Sequence, residues 1–286
     1  MTTEENQVFY KKVLKIAIPI ALAQLMNSLL SVIDTFMVSD LGDFPLAAVA
    51  IGSNFGFFMI MVMFGFLSGL GIFIAQYWGS KEIEKIHRVF ILALIIGITI
   101  SGVFFIVVHF FPQLIISLYN NGDNLMERQQ IEFYGVKYLT IVSFAYITMS
   151  ISFAIQMFMR SVQKVIFPQI ISVLTVLINT GLNYLLIHGR FGFPEMGVEG
   201  AATATVISSS IGMTILILYM VFSKYEVFKI KFSEFRNITK EFVSMIAKKA
   251  APVAINETIW GLGMSAYLMA IGFISAGAIE NVQISN

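Results

Sequence analysis

Long apolar stretches alternate with short polar connections along the whole chain. A helix needs about 20 apolar residues to cross a hydrocarbon core of about 30 Å, and seven stretches reach that length without paired charges. Runs such as VFILALIIGITISGVFFIVV do not alternate in polarity, as the strands of a membrane barrel would. The pattern predicts an all-α, polytopic integral membrane helix bundle with a six-helix lobe and one additional transmembrane helix. The predicted spans are residues 13–38, 45–77, 88–112, 133–158, 165–188, 199–222 and 243–275.

The composition agrees with a membrane protein, since 57% of the residues are hydrophobic, only 12% are charged and the mean hydropathy is +0.83. The first span is too long for a signal-peptide core and six more follow it, so we expect it to be retained. A net charge of +1 argues against a nucleic-acid partner. The chain has no cysteine, which excludes disulfide and thiol chemistry.

Basic residues fall almost entirely on one side of the predicted membrane. They collect in the amino-terminal tail and in the connections that follow the second, fourth and sixth spans. Only Arg128, Lys137 and Arg190, of 18 Lys and Arg in all, fall on the other side. Because cytoplasmic loops collect Lys and Arg, this asymmetry predicts a multi-pass protein of the cell membrane with a cytoplasmic amino terminus.

The longest polar connection, SKYEVFKIKFSEFRNITKEFVSMIAKK, follows the sixth span. Its basic, amphipathic pattern predicts an interfacial helix on the cytoplasmic leaflet, with a solvated linker as the alternative. Six spans return the chain to its starting side, so a second six-helix unit could repeat the first in the same orientation. The predicted domains are a six-helix lobe over 1–223, the connection over 224–242, and the seventh helix, opening a truncated second lobe, over 243–286.

Polar residues at steps of three and four form a stripe on the first span and another on the fifth, and the sixth span carries a shorter set. A charged carboxylate at the centre of a membrane helix costs about 3 kcal/mol or more, so we expect the stripes to face each other around Asp34. The alternatives are that Asp34 snorkels to the outer interface and that the asparagines form ordinary interhelical hydrogen bonds. The stripes are Gln24, Asn27, Ser31 and Asp34; Ser172, Thr175, Asn179 and Asn183; and Thr203, Thr205 and Ser209.

A second carboxylate lies in the last apolar stretch. Glu257 follows Lys249 by eight residues, about 12 Å along a helix, which is too deep for a short side chain to snorkel. Pro252 frees backbone carbonyls nearby and can kink the helix. This placement predicts that Glu257 exchanges a proton or cation beside the polar Asn256, with a buried structural hydrogen bond as the alternative.

Glycines recur along the second span, and several of them lie four residues apart. Small residues at this spacing let helix backbones approach closely in lipid, so the pattern predicts a packing helix, with ordinary transmembrane glycine use as the alternative. These residues are Gly52, Gly56, Gly65, Gly69 and Gly71.

No motif of an enzyme is present. The sequence lacks a phosphate-binding G-x-x-x-x-G-K and a zinc-binding H-E-x-x-H, and His87, His109 and His188 lie in different segments. We therefore expect no catalytic residues, no organic cofactor and no structural metal.

Several segments together resemble one family. IPIALAQLMNSLLSVIDTFMVSDLGDFPLAAVAIGS and GFLSGLGIFIAQYWGSKE are similar to the first two helices of the multidrug and toxic compound extrusion (MATE) family. NTGLNYLLIHGRFGFPEMGVEGAATATVIS resembles its fifth and sixth helices, and APVAINETIWGLG the start of its seventh.

The resemblance implies an antiporter that expels organic cations or amphipathic drugs in exchange for sodium or protons. It places the coupling residues at Asp34, Asn179, Thr205 and Glu257, with sodium bound at Asp34 or Glu257. Where some subgroups carry a second acid in the fifth helix, this sequence has Asn183.

Family members have twelve helices in two lobes, whereas this chain ends after the seventh. We therefore expect that the chain is incomplete as given and transports only after self-association or completion. The alternatives are a flippase for lipid-linked saccharides, which should show basic residues in its cavity, and a non-transporting membrane remnant. A seven-helix receptor is disfavoured because its amino terminus would be external.

Overall fold

The computed structural model describes residues 3–120 and 124–272, and within these ranges the chain is helical, with no strand. Short 3-10 helices cover Arg190–Gly192, Glu226–Phe228 and Phe232–Asn237. The α-helices are α1 (Thr3–Ser39), α2 (Asp43–Gly79), α3 (Ile83–Phe110), α4 (Pro112–Tyr119), α5 (Leu125–Ser161), α6 (Ile166–Ile187), α7 (Val198–Phe222) and α8 (Lys240–Gly272).

Six helices in the described ranges are long and apolar enough to cross a membrane: Ala17–Ser39 of α1, together with α2, α3, α5, α6 and α7. They correspond to the first six predicted spans. The predicted seventh span forms most of α8, whose hydropathy is lowered by Asn256 and Glu257, and the last three residues of that span lie outside the described part of the chain. The described segment is therefore a six-span lobe with one further helix packed against it.

The glycines of α2 are contact points for neighbouring helices, as their spacing predicts. A Cβ atom added at Gly65 would lie 2.7 Å from the Cα atom of Ala254, and one added at Gly69 would lie 2.7 Å from the Cβ atom of Ala250. At the other end of α2, a Cβ atom at Gly52 would lie 2.7 Å from the Tyr138 ring on α5. The two faces of α2 thus fix the positions of α8 and α5.

The helices α6 and α7 form a close pair, with α1 resting on α6. Gly200 brings the start of α7 against the end of α6, where an added Cβ atom would lie 2.7 Å from the carbonyl oxygen of Leu186. The connection between them folds back, and the backbone N–H of Met196 donates to that same carbonyl at 2.9 Å. This pairing brings the polar stripe of α6 between α1 and α7.

The single interfacial helix predicted for residues 223–249 does not form, because only the part from Lys240 onward is α-helical. This segment forms two 3-10 helices docked on the lobe, and α8 already begins at Lys240. The backbone carbonyl of Val227 accepts a hydrogen bond from Nε2 of His87 at 3.2 Å, and it is therefore not used in a helical ladder. Phe228 is buried among the rings of Phe158 and Tyr219.

A break between α3 and α4 was also not predicted. The backbone leaves the helical region at Phe111, and Pro112 opens α4 at a position where its missing N–H costs nothing. The predicted third span, which runs through residue 112, thus ends two residues earlier, and a short helix follows it.

Candidate functional site

Asp34 lies half-buried near the end of α1 and faces α6. The Thr180 hydroxyl donates a hydrogen bond of 2.8 Å to its Oδ1 atom. Because Asp34 contacts protein hydroxyl and amide groups on α6, it does not simply snorkel away from the bundle. The polar faces of α1 and α6 meet at this carboxylate, as the stripes predict.

Asn179 connects Asp34 to α7. With the amide nitrogen of Asn179 turned toward α1, it donates to the Oδ2 atom of Asp34 at 3.0 Å, and the amide oxygen accepts from the backbone N–H of Thr205 at 3.2 Å. The Thr205 hydroxyl lies 3.3 Å from the same amide. In the other orientation of the Asn179 amide, its oxygen accepts from the amide nitrogen of Asn183, one turn further along α6, at 3.3 Å. One network therefore joins three helices.

These groups line a cavity of about 210 Å³. Asn183 is only 4% exposed, and its Oδ1 atom has no hydrogen-bond partner among the described residues. An unpaired buried oxygen is costly unless a ligand or water satisfies it. The polar lining residues are Ser31, Asp34, Thr35, Ser53, Tyr138, Asn179, Asn183 and Thr205.

The donor set fits a proton or a small monovalent cation. A single carboxylate with neutral hydroxyl and amide oxygens supplies the hard oxygen ligands that such ions prefer. No group of three or more His, Cys, Asp or Glu side chains that could hold a metal ion occurs within residues 3–120 and 124–272.

Four members of this site were missed in the sequence, among them Thr35 on α1. Thr180 follows Asn179 directly and donates to Asp34 beside it, although its position is outside the polar stripe of α6. Ser53 on α2 and Tyr138 on α5 also line the cavity. Gly52 offered a signal for Tyr138, because its missing side chain makes room for that ring.

The remaining stripe residues are spread along the bundle. The amide nitrogen of Asn27 donates to the Ser172 hydroxyl at 3.0 Å, which ties α1 to α6 about two turns from Asp34. Gln24 is exposed, and Ser31 lines the Asp34 cavity. Thr175 donates to the backbone carbonyl of Ile171 at 2.8 Å and belongs to a second cavity.

The second cavity has a volume of about 220 Å³ and lies between α2, α5, α6 and α7. Its walls are mostly apolar, with Met59, Met63, Met149 and Phe153 among them. A few polar groups, including Gln156, Ser172, Thr175 and Ser209, interrupt this surface. Flexible thioether side chains can adapt to ligands of different shapes.

Glu257 and Asn256 are not brought to Asp34. Glu257 is half-buried on α8 against α2, where its Cβ atom would lie 3.1 Å from a Cβ atom added at Gly65. Its carboxylate has no hydrogen-bond or ion-pair partner among the described residues, and Asn256 is exposed. Neither residue lines the two cavities. The coupling role of Glu257 stays a prediction.

The MatE family model matches residues 19–185, which run from α1 through most of α6 and include Asp34, Thr180 and Asn183. The chain belongs to the MatE family. The residues of α1 and α6 that meet at Asp34 lie within this match.

Curated relatives in this family are multidrug resistance proteins by name. The chain is 28% identical over 251 residues to the probable multidrug resistance protein NorM of Bacillus cereus, which covers 85% of this chain and 54% of that protein. It is 28% identical over 223 residues to the multidrug resistance protein NorM of Vibrio cholerae, covering 75% and 46% respectively. The chain thus spans about half the length of the curated relatives it matches.

Solved structures of MatE family transporters share the fold. An outward-facing multidrug resistance MATE transporter aligns with a TM-score of 0.71 and 20% identity, covering 89% of this chain and 54% of that one. A MATE structure in a bent conformation aligns with a TM-score of 0.73 and 20% identity, covering 89% and 55%. The chain is therefore a multi-pass membrane protein with the helical fold of this family.

Proposed function

We propose that this chain forms the ion-coupling part of a secondary exporter that moves organic cations or amphipathic drugs out of the cell in exchange for sodium or protons. The observation that carries the proposal is the Asp34 carboxylate, which has only neutral partners and lines a cavity of about 210 Å³ with Asn179, Asn183 and Thr205. Such a carboxylate can accept a cation from solution, because no Lys or Arg of the described residues neutralises it.

Coupling follows from the hydrogen bonds that Asp34 receives. As a carboxylate, it accepts from Thr180 and Asn179, both on α6. A protonated carboxyl group becomes a donor at one oxygen, and a bound cation occupies an acceptor position, so either event rearranges these contacts. The contact between α1 and α6 would then differ between the loaded and unloaded states, as a shift between conformations requires.

The apolar cavity is the proposed contact surface for the drug. Its methionine and phenylalanine side chains suit ligands of varied shape, and the relatives are named for multidrug resistance. A positively charged drug gains from a nearby carboxylate only while that carboxylate is ionised. Drug and coupling ion therefore exclude one another, which is the requirement for exchange.

The lining of the two membrane cavities disfavours the alternative function, a flippase for lipid-linked saccharides. Such a protein must hold phosphate in its cavity, yet no Lys or Arg is found among the described residues that line the two membrane cavities.

The charge asymmetry supports a cytoplasmic amino terminus. With that orientation, the Asp34 cavity would lie toward the outer half of the membrane.

The test is drug resistance in cells that express the protein with Asp34→Asn. We expect resistance to a cationic dye to fall to the level of cells without the protein, because the amide cannot carry the exchangeable charge. Asp40→Asn is the matched control, since Asp40 follows the end of α1 with a side chain that is 69% exposed. Full resistance with Asp34→Asn, at equal amounts of protein in the membrane, would refute the proposal.

A further inference from the structure

A third cavity, of about 540 Å³, lies at the opposite end of the lobe from Asp34. It is formed by the turn between α2 and α3, the first turns of α3 and the docked connection that follows α7. Five cationic side chains line it: Lys81, Lys85, Arg88, Lys229 and Lys231. This cavity belongs neither to the coupling site nor to the proposed drug surface.

The cationic side chains outnumber the carboxylates of the same wall, which are Glu82, Glu84 and Glu226. Lys85 forms an ion pair with Glu82, and Nε of Arg88 lies 2.7 Å from Oε2 of Glu234. Within residues 3–120 and 124–272, the other three lysines have no ion pair. Two carboxylates of the wall, Glu84 and Glu226, are also outside ion pairs, so the described residues leave a small excess of positive charge in the cavity.

A buried histidine also belongs to the residues that line this cavity. His87 is 1% exposed, and its Nε2 atom lies 3.2 Å from the carbonyl oxygen of Val227. Because a carbonyl oxygen only accepts, Nε2 carries the hydrogen of that bond, and the Nδ1 atom is buried without a partner among the described residues. Neutral Nδ1 can accept a hydrogen bond from a phosphate hydroxyl, and protonated Nδ1 can donate to a phosphate oxygen.

We propose that this cavity binds a phosphate group. Phosphate provides several acceptor oxygens for lysine ammonium groups and a hydroxyl group for the neutral imidazole. The charge asymmetry places this end of the lobe at the cytoplasmic leaflet, where two sources offer the group: the head of an anionic phospholipid and phosphate in solution. The inference is independent of the coupling role of Asp34.

The experiment uses the full chain and two probes. Inorganic phosphate is titrated calorimetrically into the chain in neutral detergent. Retention of phosphatidic acid against phosphatidylcholine is then measured by native mass spectrometry after extraction from nanodiscs that contain both lipids. The test variant is Lys229→Gln with Lys231→Gln. The matched control is Lys224→Gln with Arg236→Gln, which removes the same charge from exposed positions of the same connection outside the cavity.

We expect the test variant to bind about 25-fold more weakly, since each basic residue near the surface contributes about 1 kcal/mol to anionic binding. Loss for phosphatidic acid alone identifies a lipid headgroup site, loss for inorganic phosphate alone identifies a solute site, and loss for both supports the shared chemistry. Absence of binding to the unaltered chain, or equal weakening in the control variant, would overturn the proposal.

His87→Gln provides a second variant that keeps the donor to the Val227 carbonyl. The glutamine amide nitrogen reaches a position similar to that of Nε2, whereas nothing replaces Nδ1. We expect weaker phosphate binding with an unchanged melting temperature. Unchanged binding in this variant, together with unchanged binding in the lysine variant, contradicts the assignment of this cavity.

Discussion

Asp34 and Glu234 are carboxylates at opposite ends of the six-helix lobe, and their partners differ in charge. Asp34 accepts from the Thr180 hydroxyl and the Asn179 amide, which are neutral. Glu234 accepts from Nε of Arg88 at 2.7 Å and from the Asn237 amide at 3.0 Å. The hydrogen bond from Asn237, followed by that from Arg88, lowers the pKa of Glu234 from its ordinary value. Glu234 is thus paired with a cationic side chain, and Asp34 has only neutral partners among the described residues.

The difference separates a carboxylate with a fixed cationic partner from one that we propose exchanges its cation. A carboxylate beside a fixed guanidinium has no need of a cation from solution, and removing its partner leaves an uncompensated charge. A carboxylate among neutral donors in a cavity gains from any cation that reaches it. Among the described residues, Asp34 in the membrane part of the lobe therefore has no cationic partner, while the docked connection uses Glu234 to hold α3.

The largest expected effect comes from giving Asp34 a fixed cationic partner, as Glu234 has in Arg88. Thr180→Lys places an ammonium group beside the carboxylate, and we expect resistance to a cationic dye to fall by about tenfold or more, which corresponds to about 1.4 kcal/mol. Thr180→Val is the matched variant, because it removes the hydroxyl without adding charge, and it should cause a smaller loss. Equal loss in both variants would show that the charge of Asp34 is not what matters.

Breaking the ion pair between Arg88 and Glu234 should lower the stability of the fold and leave transport unchanged. With Arg88→Gln, Glu234 keeps its contact with Asn237 but loses its charged partner, so we expect the melting temperature to fall by a few degrees. Arg236→Gln removes an exposed charge from the same connection and should leave the melting temperature unchanged. Lost dye resistance in Arg88→Gln, at equal amounts of folded protein, would assign this pair a role in transport.

The helices and part of the site were predictable from the sequence, for a physical reason. Long apolar runs must form helices in lipid, because every backbone polar group needs a partner within the segment. The spacing of Asp34 with Asn27 on α1, and of Asn179 with Asn183 on α6, fixed one polar face on each helix. Polar side chains that face lipid cost free energy, and this cost falls when the two polar faces contact each other. The contact between α1 and α6 was therefore predictable.

Contacts that depend on distant segments were not predictable. Thr180 reaches Asp34 across 146 residues of chain, and Arg88 reaches Glu234 across the same separation. Asn179 and Thr180 both donate to Asp34, yet Thr180 lies outside the polar stripe of α6, and no local pattern indicates that it also faces α1. The docked form of the connection depends on His87, whose hydrogen bond to a backbone carbonyl leaves no signal in sequence periodicity.

The smallest expected effect concerns how the melting temperature falls at low pH, to which Glu234 contributes. Because the pKa of Glu234 is lowered in the folded chain, its contribution to stability is present above its unfolded pKa and is lost as the pH falls through the folded value. The melting temperature of the unaltered chain should therefore fall as the pH drops below the ordinary glutamate value of about 4.3, and less so with Glu234→Gln. Glu195→Gln, at an exposed position, should retain the pH dependence of the unaltered chain. If Glu234→Gln retains it as well, the hydrogen bonds from Asn237 and Arg88 do not hold this carboxylate in its charged form, and the contrast with Asp34 then rests on Asp34 alone.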